Sequence, residues 1–567
     1  MSVPGLSEIL EPAWCEENLT KFALTEGFQL NPHGDNMVRV GVDVSVWICQ
    51  AQAAAHSQAG ENPGLRTIFY RICRLLVNSI LPIFVEDGPG RPRVKHGVNV
   101  KADKLHWMEH YMEDFAREAG CPIYRAPAEA EAELAQLTAH GLIEAVLTTD
   151  FDVFLFGGTC MIKLPNVKAD GDNIICYNST DIQDLASLNC AKLIFIVILS
   201  GGDYDQIGLP GCSSKIAYQL AQGGLADSLF EAVNKLTQHE LQDFLDDWRK
   251  KLANELLYDP HGVMGMKHPA LAHNIPSDFP KLDVLRLYTH PLTSWSDYGN
   301  SPDTTSWGLH QLNLANLAVL CEKSFSWGSA GIIIPHFCMN VWPAAMMRML
   351  LNPIDTPGSV DSRLTCSSLF RIAREKIGPG GPNSGAIVPG FSVETATLAL
   401  IHKTVSNLNE DMRRKALQQH RPPQYFWIPY TILKARVPNL TNEYYAHTRK
   451  KKSKPSRPQR IYTDSDDGVI MSMAPDTGAL STRANPATAP NSTALGSHIG
   501  PLAQDDEQVM SPMPVVSRSH ADPPPLAGLS QNPLVVDEGD SAHTHEDNQA
   551  RHGLKRKRVM LDFIDLT

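Results

Sequence analysis

The chain has 567 residues, 43% hydrophobic and 20% charged, with a formal net charge of −12 and eleven cysteines, none in a CxxC pair. That length suits two or three domains plus a tail. The cysteine spacing excludes zinc ribbons and redox motifs and fits reduced thiols packed inside an intracellular protein. The longest uninterrupted apolar run, Leu193 to Leu199, is too short to cross a bilayer, and MSVPGLSEILEP shows no secretory leader.

Residues 1–205 alternate strand-like and helix-like stretches, which predicts an α/β layer fold with a parallel sheet. Four apolar runs end in aspartate: VRVGVD at Asp43, LPIFVED at Glu86 and Asp87, EAVLTTDFD at Asp150 and Asp152, and KLIFIVILSGGD at Asp203. All four read as strands, the last buried on both faces. Between the second and third runs lie GPGRPRVKHGVNVK, a helix predicted from Asp103 to Ala119, and the motif PAEAEAE. Pro127 suits a first helical position, which puts Glu129 and Glu131 in the first turn, where spare N–H groups favour anions.

After Asp203, Gly208 and Gly211 permit a tight turn between helices, and Lys215 starts the second helix. Backbone N–H groups and a lysine there suit a phosphate, as in a helix–hairpin–helix. Residues 206–350 read as mostly helical, with PALAHNIPSDFPKLDV as a Pro-punctuated loop. The pattern over 360–447 is mixed. AIVPGFSVETATLALIHKTVS predicts a strand, and QYFWIPYTILKARVP a strand and a turn. A basic run, RKKKSKPSRPQR, follows from Arg449 to Arg460. Beyond Ile461 too little apolar surface remains to offset ordering entropy, so residues 448–567 are expected to be a disordered tail.

The acid excess is uneven. Residues 461–567 hold 15 Asp and Glu against 7 Lys and Arg, a balance of −8, which leaves −4 for residues 1–460. Nucleic-acid binding is therefore allowed, although net charge does not argue for it. In a parallel sheet the carboxyl ends of the strands share one edge. Carboxylates gathered there repel one another unless divalent cations sit between them. Asp150 and Asp152, at alternate positions of an extended segment, would point to one side. The set predicts a two-metal phosphodiesterase centre.

These motifs resemble the XPG-type structure-specific nucleases, which include flap endonucleases and the Holliday-junction resolvases. The resemblance rests on VPGL, GVDVSVWICQAQ, PIFVEDGPGRPRVKHG, APAEAEAELAQLTAHGLIEAVLTTDFDVFLFG and LSGGDYDQIGLPGCSSKIA, in the family's order over residues 1–225. YTHPLTSW and LCEKSFSWG extend it toward fungal members of the resolvase branch.

The resemblance implies a PIN-like nuclease domain in two parts, 1–100 (XPG N) and 101–205 (XPG I). A helical DNA-binding region at 206–350 and a small chromodomain-like module at 360–447 would follow. It implies two Mg²⁺ (or Mn²⁺) ions held by Asp43, Asp87, Glu129, Glu131, Asp150, Asp152 and Asp203, with water attacking the scissile phosphate in line. Lys95 matches the basic residue aimed at that phosphate, with Arg93 beside it and Lys101 as a backbone contact. Gly208, Gly211 and Lys215 would grip duplex DNA, with a monovalent cation at the hairpin. Tyr425, Phe426 and Trp427 would form a cation-holding cage, or else the small domain's own core.

The chain departs from the family at Ser2, at Ser213-Ser214 and at Cys49, where flap endonucleases carry a stacking aromatic. Trp47 reads as core. Only 41 residues separate Asp87 from Glu129, too few for a long threading arch. A short gateway suits a junction whose strands have no free end.

The expected function is an endonuclease that cuts Holliday junctions, as a homodimer on the DNA, and 5′ flaps. The alternatives are a mainly 5′-flap nuclease in replication or repair, and an inactive DNA-binding scaffold. Lys555 to Arg558 and Arg449 to Arg460 suit nuclear import receptors, which places the protein in the nucleus. MLDFIDLT and PLVVDEGD resemble SUMO-interacting motifs, and Ser511-Pro512 resembles a phosphosite.

Overall fold

The computed structural model describes residues 5–452, apart from segments at 32, 35, 56–59, 100–105, 165–171, 297–300, 309, 352–368, 379–387 and 419–421. These residues belong to one compact unit, Met1–Ile461. A seven-stranded sheet runs through its N-terminal part. The strands are β1 (Trp14–Asn18), β2 (Val38–Asp43), β3 (Ile80–Glu86), β6 (Ile123–Arg125), β7 (Ala145–Leu147), β8 (Cys160–Lys163) and β9 (Asn173–Asn178). A short hairpin, β4 (Val94–Lys95) and β5 (Val98–Asn99), stands apart from it.

The sheet order is β1-β9-β8-β7-β2-β3-β6. β8, β7, β2, β3 and β6 are mutually parallel, and β9 and β1 close one side antiparallel. The predicted parallel α/β sheet is therefore present. β2 lies at its centre, and all six of its residues are buried, as a strand covered on both faces requires. From β2 the chain builds outward through β3 and β6, then returns to the other side through β7 and β8. That reversal opens a crevice at the carboxyl edge. Five helices frame the crevice: α1 (Val44–Ala55), α2 (Pro63–Val77), α3 (Trp107–Glu118), α4 (Ala130–Ala139) and α5 (Cys190–Ser200). Gly41 lets α4 approach β2, since a Cβ there would stand 2.4 Å from Leu134 Cδ2.

Several expectations are corrected. The run before Asp203 is a helix, α5, not a strand. Its residues 193–199 are all buried. A short run that is apolar on every side suits a buried helix as well as a buried strand, and the Asn189 side chain caps this one by accepting Lys192 N–H at 2.9 Å. β7 stops at Leu147, and Asp150 caps a 3₁₀ turn, Phe151–Phe154, so Asp150 and Asp152 do not lie on an extended segment. Glu129 is the N-cap of α4, and Pro127 precedes the helix. α3 begins at Trp107, and residues 103–105 of its predicted start lie outside the described residues.

After α5 come α6 (Ser214–Ala221), α7 (Gln238–Tyr258), α8 (Leu282–Thr289) and α9 (Leu314–Phe325), with further helices between, among them Leu225–Lys235. The predicted loop PALAHNIPSDFPKLDV contains the helix Pro269–His273 and the start of α8. A continuous helical stretch, Ala330–Leu351, is long and apolar enough by composition to cross a bilayer (mean hydropathy 1.3), and 56% of that window is buried inside the protein. Its Arg348 is fully buried and donates to the His310 carbonyl at 3.0 Å. Scattered polar residues such as Asn340 and Arg348 hid this stretch from a search for uninterrupted apolar runs.

The accessory region is a three-stranded antiparallel sheet, β10 (Leu369–Ile377), β11 (Pro389–Thr395) and β12 (Gln424–Pro429). Leu398–Val405 and Tyr430–Arg436, read as strand continuation and turn, are helices. The helix Pro438–Lys452 carries the first part of the basic run, so helix continues past the predicted start of the tail at residue 448. Tyr425, Phe426 and Trp427 do not share a face. Strand side chains alternate, so Phe426 is buried while Tyr425 is 51% exposed. A cage walled by all three is excluded. Ser2, Lys101, Ser511 and the tail motifs lie outside the described residues.

Candidate metal centre

The carboxyl edge gathers the acids in one cleft of ≈ 220 Å³. Asp43, Asp87, Glu129, Glu131, Asp150 and Asp203 line it together with Lys95. Asp152 lies just beneath, 1% exposed. Ligand oxygens of Glu131, Asp150 and Asp152 all fall within 4.8 Å of one another.

Each acid is aimed by its element. Asp43 ends β2 and accepts from Ser45 N–H at 2.8 Å, Ser45 Oγ at 2.7 Å and Val46 N–H at 3.1 Å. Asp87 follows β3 and accepts from Ala130 N–H, at the start of α4, at 3.0 Å. That bond ties two acidic elements together and uses a helix N-terminus as an anion site. Asp203 follows α5 and faces His96 Nδ1 at 3.2 Å.

Lys95, on the β4 hairpin, reaches Glu129 at 2.8 Å and both Glu131 and Asp203 at 3.3 Å. Burial opposes its charge, but Glu131 and Glu129 outweigh burial, so its pKa rises. Burial, and then Asp87, push Asp43 up to about 6. Burial pushes Glu131 up to about 8, with Lys95 opposing and Asp150 adding to the rise. Asp152 rises well above the carboxylate range through burial and Glu131.

Acids this crowded prefer a proton or a cation between them. Glu131 Oε1 and Asp152 Oδ1 are buried without a hydrogen-bond partner among the described residues. Orphaned carboxylate oxygens inside an all-oxygen donor set fit a hard divalent cation such as Mg²⁺ or Mn²⁺.

The seven predicted acids and Lys95 thus meet in space. Arg93 is exposed on the loop before β4 and does not line the cleft. Its neighbour Arg91 does, pairing with Asp87 at 3.1 Å. Arg91, His96 and Tyr204, whose hydroxyl donates to Glu129, were missed from sequence. The first two stand within the motif that singled out Lys95, and Tyr204 directly follows Asp203. Cys49 is exposed on α1, and Trp47 is core, edge-on to Phe84 at 5.6 Å.

Gly208, Gly211 and Lys215 lie in the connection from α5 to α6, outside the cleft. Gly208 has φ +57°, and a Cβ there would stand 2.6 Å from Gly201 N and Leu199 O. Ser213 caps α6, accepting Ile216 N–H at 3.3 Å, and Lys215 is exposed in the first turn. The helix–turn–helix is present, and Lys215 in the first turn of its second helix is open to solvent.

Comparison with known proteins agrees with this architecture. The family model XPG N-terminal domain matches residues 1–106, and XPG I-region matches residues 120–203. These two matches mark the part of the chain up to residue 203 as similar to XPG nucleases. Among curated relatives, flap endonuclease GEN-like 1 of Arabidopsis thaliana is 31% identical over 225 residues, 35% of this chain and 37% of that protein. Flap endonuclease GEN homolog 1 of Homo sapiens is 28% identical over 215 residues, 35% of this chain and 24% of its own length. The chain therefore spans well under half the length of these two curated relatives. A crystal structure of the Holliday junction-resolving enzyme GEN1 with product DNA and Mg²⁺ is 25% identical. It covers 79% of this chain and all of its own, with a TM-score of 0.62. The same enzyme bound with potassium matches equally well.

Proposed function

We propose that this chain is a divalent-metal-dependent, structure-specific DNA endonuclease that cuts four-way junctions and 5′ flaps by two-metal phosphodiester hydrolysis. The observation that carries this reading is the convergence of seven carboxylates and Lys95 on one cleft. Asp43, Asp87, Glu129, Glu131, Asp150, Asp152 and Asp203 are the proposed metal ligands. Bound there, two cations supply charge neutralisation for the transferring phosphate and lower the pKa of the attacking water.

The chain's own groups do the rest. Ser45, Val46 and Ala130 hold Asp43 and Asp87 in fixed rotamers. Lys95 supplies positive charge at the centre of the cleft, where the scissile phosphate must enter, and Arg91 supplies more at its rim. The turn at Gly208 to Lys215 would hold the duplex away from the cut through its backbone N–H groups, with a monovalent cation beside it; the similar enzyme GEN-1 binds potassium. Residues 360–447 add DNA-contacting surface, and a second copy on the junction makes the paired cut. The tail's basic runs suit nuclear import.

The test compares rates on an immobile four-way junction and a 5′ flap, with Mg²⁺ and with EDTA. Symmetric paired incisions in the junction, lost in EDTA, are expected. Cleavage of flaps alone would reject junction resolution, and cleavage in EDTA would reject the metal centre.

A further inference from the structure

Glu133, one turn beyond Glu129 on α4, is fully buried and does not line the cleft. It accepts Ser294 N–H at 2.9 Å, Ser294 Oγ at 2.5 Å and Tyr124 OH at 3.2 Å. All three donors are neutral. A buried carboxylate without a cation is expensive, and an apolar residue would fill the same space between α4 and its neighbours. What the carboxylate adds is direction: two charge-assisted bonds from Ser294 fix one segment against α4 in a single register, and a third ties β6 to the same carboxylate.

That segment touches three of the acidic stretches: α4, the turn after Asp87 and the residues after Asp203. Trp295 stacks on His140, just past the end of α4, at 4.4 Å and 11°. Leu292 lies over the turn after Asp87, where a Cβ on Gly90 would stand 2.7 Å from it. Tyr288 packs on Tyr204 at 4.7 Å, and Tyr204 holds Glu129. Lys281 pairs with Asp205 at 2.9 Å.

We propose that residues 281–296 form a strap that sets the spacing of the metal-binding carboxylates. Its anchor pair, Glu133 and Ser294, are positioning residues for Glu129 and Glu131. This rests on the metal-centre reading above. Mg²⁺ demands near-ideal octahedral geometry, so a small drift of α4 weakens its binding before it unfolds the protein.

The test measures Mg²⁺ binding by calorimetry on the full chain, without DNA. E133Q keeps the shape and removes the charge: its amide oxygen keeps Ser294 N–H, while its NH2 replaces the acceptor that Ser294 Oγ and Tyr124 OH share. S294A removes only the hydroxyl and is the safer variant for folding. We expect Mg²⁺ affinity to fall about tenfold in E133Q, the usual loss when an outer partner of a ligand is removed, and by less in S294A. The double variant should lose no more than E133Q, because the pair acts as a unit. Affinity for a four-way junction in EDTA should not change.

Wild-type Mg²⁺ affinity in both variants overturns the strap, as does a lowered melting temperature with unchanged Mg²⁺ affinity. A wild-type chain that binds no Mg²⁺, or Asp150→Ala/Asp152→Ala that binds it normally, removes the metal centre itself and the strap with it.

Discussion

Asp43 and Glu131 hold protons more tightly in the fold than in the open chain, rising from 3.8 to about 6 and from 4.5 to about 8, chiefly through burial. A folded state that binds the extra protons loses stability as pH rises through that window, from about 4 to about 8 without metal, on the order of 1 kcal/mol per pH unit per group. A cation needs the deprotonated ligands. The gain in melting temperature given by Mg²⁺ over EDTA should therefore grow from pH 5 to pH 8. A gain independent of pH would contradict the protonated, metal-free cleft. The seven acids were legible in the sequence because each follows an apolar run or a helix-start motif, so chemistry and placement coincide. Tyr204 and Glu133 were not. Tyr204 finds Glu129 across 75 residues, and Glu133 finds Ser294 across 161. No local pattern encodes a partner so distant.

Among elements, β2 and β3 were legible from nearly continuous apolar runs, while α5 was mistaken for a strand because an all-round apolar run has no usable period. Its N-cap, Asn189, was the available clue. The outcome for the site is the same, since helix or strand, α5 delivers Asp203 to the carboxyl edge. It differs for the hairpin, because α5 is the first helix of the helix–turn–helix around Gly208. Gly208 is where that turn depends on its residue. Gly208→Ala adds a Cβ 2.6 Å from backbone atoms at φ +57°. It should cost on the order of 1–3 kcal/mol by urea unfolding and weaken duplex binding. Gly308→Ala, where a Cβ meets nothing within 4 Å, should leave both unchanged. Equal effects at the two positions would mean the turn carries no special constraint. β12 shows the converse case: its strand was legible, but its side-chain faces follow only once the strand's period is applied, and they divide the aromatic trio.

Across the whole molecule, motif order placed the XPG N-terminal and I-region stretches, and the way the helical region folds back on the sheet was not legible. That return brings residues 281–296 beside α4 and makes the cleft a joint product of both regions. Only 41 residues separate Asp87 from Glu129, and the proposed cutting of branched DNA without free ends is compatible with a connection that short. The central claim is that the clustered carboxylates hold the ions that break the phosphodiester bond. The most direct measurement is Mg²⁺-dependent nicking of an immobile four-way junction by the wild-type chain and by Asp150→Ala/Asp152→Ala, alongside junction binding in EDTA. The double variant should bind the junction as the wild type does while its nicking falls at least about a thousandfold, an effect of roughly 4 kcal/mol on the barrier. Nicking at the wild-type rate would contradict the assignment.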